Sequence, residues 1–140
     1  MASGAGAGNN ENITDNNVVI SAPNAIGVNE AAPSVLGTYI THNTLAINSS
    51  SGTGIEVQGD NSTISDNLIN STSTSNSYGI STAPLTGQMN GLVVNNNEMN
   101  VSGSPTSNLF GIHIDPSSIT GLNINSNTIS EKSGCLDYGH

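Results

Sequence analysis

One pattern, apolar-x-x-Asn-x-apolar, returns five times along the chain and leaves it few possible folds. It reads Ile13-Thr14-Asp15-Asn16-Asn17-Val18, then Ile40-Thr41-His42-Asn43-Thr44-Leu45, then Ile64-Ser65-Asp66-Asn67-Leu68-Ile69. It continues as Val94-Asn95-Asn96-Asn97-Glu98-Met99 and Ile124-Asn125-Ser126-Asn127-Thr128-Ile129. The asparagines Asn16, Asn43, Asn67, Asn97 and Asn127 stand 27, 24, 30 and 30 residues apart. Self-similarity at such intervals is the mark of solenoids and related repeat architectures.

A second pattern falls between these hits: Ile26-Gly27-Val28, Gly54-Ile55-Glu56-Val57, Gly79-Ile80-Ser81-Thr82 and Gly111-Ile112-His113-Ile114. Gly134-Cys135-Leu136 is a weaker fifth. Alternate apolar residues over so few positions describe strands, with one set of side chains facing in and the other out. Three apolar positions at helical spacing never occur, so helical coils are disfavoured. One winding cannot bury its own apolar face, whereas stacked windings share a continuous core. With strands ~4.8 Å apart, about five coils of 24–30 residues would build a prism only ~24 Å long. The expected core columns are Ile13, Ile40, Ile64, Val94 and Ile124 in one sheet, and Ile26, Ile55, Ile80 and Ile112 in another. The five asparagines are expected at a tight turn, because Asn tolerates left-handed backbone angles. Their amides would also bond from coil to coil as a ladder. The expectation is an all-β chain, a right-handed parallel β-helix over residues 11–136. A Gly/Ala-rich tail (1–10) would precede it and a short tail (137–140) would follow.

Composition supports this reading. Only 8% of the residues are charged and 3% aromatic, with Trp absent. Disordered chains of low hydrophobicity are usually highly charged, and this one is not. The net charge is −9, and Lys132 is the only Lys or Arg. Phosphate neutralisation needs such cations, which argues against nucleic acid and against anionic membranes. No apolar run is long enough to span a bilayer, and Met1 to Asn10 does not read as a signal peptide. Cys135 is the single cysteine, so no disulfide can form within the chain; it is expected to be a small residue of the last coil.

Gly-Ile-x-Val followed by Ile-x-x-Asn-x-Ile resembles the parallel β-helix repeat of the pectate-lyase-like superfamily, over about residues 12–136. The resemblance implies the fold; for function it is broad, since that fold hosts lyases, hydrolases, tailspikes and adhesins. The family's polysaccharide-cleaving members use an Asp cluster with an Arg base, or several Asp with Gly-His-Gly and Arg-Ile-Lys segments. This chain has no Arg, no Gly-His-Gly and no Lys inside the coils. An acidic surface would also repel a polyuronate. The four aromatics, Tyr39, Tyr78, Phe110 and Tyr138, are dispersed in sequence and offer no evident sugar platform. The expectation is therefore no catalytic residues, no enzyme activity and no cofactor.

The residues before the ladder asparagines include Asp15, His42 and Asp66, which the register would place ~5 Å apart on one outer edge. Such a column could hold a divalent metal; a solvated turn edge with alternating charge is the preferred reading. His113 and Glu56 would share an outward column two coils apart, too far for a direct acid–base pair. Asp60 and Asp115 fit turn chemistry. Sequons occur at Asn12, Asn48, Asn61, Asn70 and Asn100.

Open solenoid ends carry unpaired strands that template association. Neither terminus shows an amphipathic cap, and gatekeeping Lys is nearly absent. The function expected is a structural, self-associating module of an extracellular fibre, filament or surface adhesin, stacking end to end as a homo-oligomer. A surface glycan is the other candidate partner. A carbohydrate-binding or carbohydrate-cleaving fragment is the alternative reading, followed by ice binding.

Overall fold

A computed structural model describes residues 2–3, 11–31, 37–83, 87–102, 108–115 and 118–131. A two-residue strand β1 (Ala2–Ser3) comes first. The first winding holds β2 (Asn12–Thr14), β3 (Asn17–Ile20) and β4 (Ala25–Glu30). The second holds β5 (Tyr39–Thr41), β6 (Thr44–Ile47) and β7 (Gly52–Val57), and the third β8 (Thr63–Ser65), β9 (Leu68–Ser71) and β10 (Ser77–Thr82). An extra strand β11 (Gln88–Asn90) precedes β12 (Val93–Asn95), β13 (Glu98–Val101) and β14 (Leu109–His113). Its counterpart β15 (Ser118–Thr120) precedes β16 (Asn123–Asn125) and β17 (Thr128–Glu131). Among the described residues there is no helix.

Every strand pairing is parallel and joins equivalent strands of successive windings. The first sheet runs β2-β5-β8-β12-β16, the second β3-β6-β9-β13-β17, and the third β1-β4-β7-β10-β14. The molecule is a parallel β-solenoid. Its five Asn rungs bound about four complete turns, one fewer than five coils, because the last rung opens a winding that the described residues do not close.

Repeat length varies at two corners and is constant at the third. Between the first and second sheets every winding spends only two residues: 15–16, 42–43, 66–67, 96–97 and 126–127. Between the third sheet and the next winding the connections differ, and the two longer ones contain β11 and β15, which pair with each other. That added pair accompanies the 30-residue spacings.

The column Ile13–Ile40–Ile64–Val94–Ile124 forms as expected, each residue in register with the next. The second sheet contributes Val18–Leu45–Ile69–Met99–Ile129. In the third sheet the inward column is Val28–Ile55–Ile80–Ile112. Ile26 does not belong to it. It pairs with Thr53, two positions away from the expected place, and is only half-buried. The glycine, not the first isoleucine, sets this register. A Cβ at Gly54 would meet Ile69 and one at Gly79 would meet Met99, so these glycines form the groove that receives the second sheet's inward column. Cys135 and the fifth strand pattern lie outside the described residues.

The left-handed corner also differs from expectation by one residue. Positive φ falls on Asp15 (57°), His42 (56°), Asp66 (56°), Asn96 (52°) and Ser126 (54°), not on the ladder asparagines. The corner bends at the exposed residue so that the following Asn can turn its amide inward. His42 takes these angles without the local hydrogen bonding that lets Asp and Asn tolerate them. His42→Gly is therefore expected to raise stability by about 0.5 kcal/mol, after the greater chain entropy of Gly is subtracted. Thermal unfolding measures it; a lowered midpoint would show that the imidazole makes a contact worth more than the strain.

Candidate functional site

The three central ladder asparagines, Asn43, Asn67 and Asn97, are buried with both their amide nitrogen and their amide oxygen hydrogen-bonded. Asn43 donates from its backbone N–H (3.0 Å) and from Nδ2 (3.0 Å) to Oδ1 of Asn67. Asn67 does the same to Oδ1 of Asn97, at 3.1 and 2.9 Å. Each Nδ2 also reaches back to the main chain of the preceding winding: Asn43 to the Ile13 carbonyl, Asn67 to Ile40 and Asn97 to Ile64. Asn16 and Asn127 complete the row. One amide thus ties three windings together.

This ladder has a direction. From amide to amide, each asparagine from Asn16 to Asn97 donates to Oδ1 of the next, toward the C-terminal end. At one end, Oδ1 of Asn16 accepts nothing among the described residues. At the other, the backbone N–H of Asn127 and the Ile124 carbonyl have no partner there. The ends differ in burial as well. Ile13 and Ile20 of the first winding are 5% and 3% exposed, whereas Ile124 and Ile129 of the last are 43% and 52% exposed. Among the described residues, the last winding borders a hollow of about 640 Å³ lined by Phe110, Ile112, Ile114, Ile124 and Ile129 with a polar rim at Asn125 to Asn127.

Asp15, His42 and Asp66 do stack on one edge, as their register requires, and all three are exposed. Their side chains point out from successive corners instead of converging. Among the described residues no group of three or more His, Cys, Asp or Glu could hold a metal ion. Asp60 serves a turn: its carboxylate accepts from the backbone N–H (2.8 Å) and the side-chain amide (3.2 Å) of Asn90.

Two features escaped sequence reasoning. The first is Glu30, fully buried and in register with Val57 at an inward position. Its Oε2 accepts the backbone N–H groups of Gln58 (3.0 Å) and Gly59 (2.6 Å), which clasps the shortest of the connections that return to the first sheet. The misplaced Ile26 had hidden it, because the correct register puts a carboxylate where an aliphatic residue was expected.

The second is an aromatic cluster. Register pairs Tyr78 with Phe110, and their rings stack at 5.2 Å with planes 13° apart. His113 lies 4.9 Å from Tyr78 and 5.7 Å from Phe110. All three are half-buried on the outer face of the third sheet. His113 and Glu56 share a column through Ser81, as expected. Dispersal in sequence therefore misled: two of the four aromatics are neighbours. The signal was present, since each stands immediately before the glycine of its strand, in Tyr78-Gly79-Ile80 and Phe110-Gly111-Ile112.

The chain matches no family model, no curated protein and no solved structure.

Proposed function

We propose that this protein is a structural β-solenoid module that associates head to tail with copies of itself, as a unit of an extracellular fibre, filament or surface adhesin. The observation that carries this reading is the direction of the asparagine ladder, which among the described residues leaves a backbone N–H without a partner at one end and an amide oxygen without one at the other. In a stacked pair, Asn127 of one copy donates to Oδ1 of Asn16 of the next, and Asn16 Nδ2 donates to the Ile124 carbonyl. The first winding of the incoming copy then fills the hollow over Ile124 and Ile129. A two-fold pairing of C-terminal ends would set donor against donor and run the strands antiparallel, so the favoured contact is heterologous and does not close.

Electron microscopy and sedimentation over a range of concentrations test this. Threads of constant width are expected, and Ile129→Asp should raise the concentration needed for assembly roughly thirtyfold, because its carboxylate would be buried without a partner. Monodisperse monomers at high concentration, or closed dimers, would remove the reading.

The aromatic cluster favours a second reading, a carbohydrate-binding or carbohydrate-cleaving module akin to the pectate-lyase-like superfamily. Aromatic rings beside polar groups suit neutral sugar rings. Binding on a saccharide array that is lost in Tyr78→Ala would favour it over self-association.

A further inference from the structure

We propose that Asn90-Gly91 is a modification site: its side-chain amide converts spontaneously to an acid, at a rate that the folded solenoid sets. The inference stands apart from self-association. Asn90-Gly91 is the only Asn-Gly pair in the chain. Glycine makes such a pair reactive, because no side chain screens its nitrogen from the amide carbon beside it. The Gly91 nitrogen bonds to Cγ of Asn90, the Cγ–Nδ2 bond breaks, and ammonia leaves with the nitrogen's proton. Water then opens the resulting succinimide at either carbonyl. The product is an aspartate, or an isoaspartate whose main chain runs through the former side chain.

The fold demands this reactive pair and also restrains it. Gly91 turns the corner into β12 with φ at 67°, and an added Cβ would collide with Oδ1 of Asn61. Asn90 ends β11, where its backbone N–H and its Nδ2 donate to the two oxygens of the Asp60 carboxylate, at 2.8 and 3.2 Å. The Gly91 N–H, whose proton must be lost, donates to the Thr120 carbonyl at 2.7 Å. Asp60 thus grips the amide while Thr120 holds the attacking nitrogen, and reaction requires these bonds to break. Asn90 is exposed, so burial gives it no protection. The rate in the native chain is therefore the free-chain rate multiplied by the fraction of time that this corner stands open.

The product does not fit the same corner. A carboxylate at position 90 would face the Asp60 carboxylate at hydrogen-bond distance, like charge against like. An isoaspartate also lengthens the main chain between Met89, which is buried in the core, and the Gly91 turn, so β11 loses its register on β15. The change is one-way, and each modified chain records that its corner has opened.

Peptide mapping by mass spectrometry follows acid formation at Asn90 in the full chain, in one buffer with and without concentrated urea. The folded chain is expected to react roughly a hundredfold more slowly than the unfolded one, the worth of the three hydrogen bonds that hold the pair. Asp60→Ala removes two of them and should speed the native reaction roughly tenfold, with circular dichroism unchanged. Asn90→Asp imitates the aspartate product, and its thermal midpoint should fall by several degrees. Adding Asp60→Asn to it should recover most of that loss, by returning a donor to the pair. Equal rates in folded and unfolded chains would overturn the proposal, and so would an Asn90 that survives in urea. An unchanged rate in Asp60→Ala would overturn the restraint by Asp60. An Asn90→Asp chain as stable as its parent would overturn the conflict between product and corner.

Discussion

Replacing Asn67 with alanine is expected to lower stability by about 3–5 kcal/mol. The magnitude follows from what is left behind. Asn67 accepts the backbone N–H of Asn43 and donates to the Ile40 carbonyl, and all these groups are buried. Alanine leaves that N–H and that carbonyl without partners in a site water cannot enter, at about 1–3 kcal/mol each. It also removes the amide-to-amide bonds on both sides. A domain of this size has only about 5–15 kcal/mol in total. Urea unfolding followed by circular dichroism should show a midpoint lowered by about 2 M. Asn67→Asp should be no better, since its carboxylate would turn acceptors toward the Ile40 carbonyl and Oδ1 of Asn97. Asn127→Ala makes the control. It sits half-exposed at the end of the row, and its loss should cost only about 1 kcal/mol. Equal losses at Asn67 and Asn127 would mean that the ladder does not act through burial.

Gly79→Ala is the second large effect, about 3 kcal/mol, although it adds a single methyl group. That methyl would stand 2.6 Å from the carbonyl oxygen of Gly111 and 2.9 Å from Sδ of Met99. The methionine tail can swing aside. The carbonyl cannot, because it belongs to the neighbouring strand and moving it parts β10 from β14. Gly52 is the comparison: its nearest neighbours would be 3.2 Å from an added Cβ, so Gly52→Ala should cost only about 1 kcal/mol. Thermal unfolding of the two variants side by side measures the difference. Similar midpoints would show that the third sheet can shift outward, and that the glycine column is not a steric requirement of the second sheet's packing.

Legibility in the sequence followed the constancy of each corner. The turn from the first sheet to the second always takes two residues, so its five hexapeptides align without gaps and the Ile13 and Asn16 columns could be read directly. The third sheet is reached through connections that are equal in the first two windings, 21–24 and 48–51, and longer in the next two. The register slipped at Ile26 because Ile26-Gly27-Val28 also alternates like a strand two positions out of phase, although Val28 stands as far from Asn16 as Ile55 does from Asn43, and with it went the buried Glu30. The aromatic cluster was lost for a related reason. Tyr78 and Phe110 are far apart along the chain, and only the fixed register of β10 on β14 brings their rings together. The Asp15–His42–Asp66 column shows the converse. Its spacing was legible because the corner is constant in length, and all three residues are exposed at left-handed positions, as a solvated turn edge requires.

What the sequence alone determined is a stack of windings: five asparagines and their flanking aliphatic residues cannot be buried unless they repeat vertically. Which residue bends the corner, which glycine receives the next sheet, and which way the ladder's amides point were decided only by tertiary structure. Those features depend on how neighbouring backbones approach one another, and a one-residue shift in register, invisible in a hydropathy pattern, exchanges inside for outside.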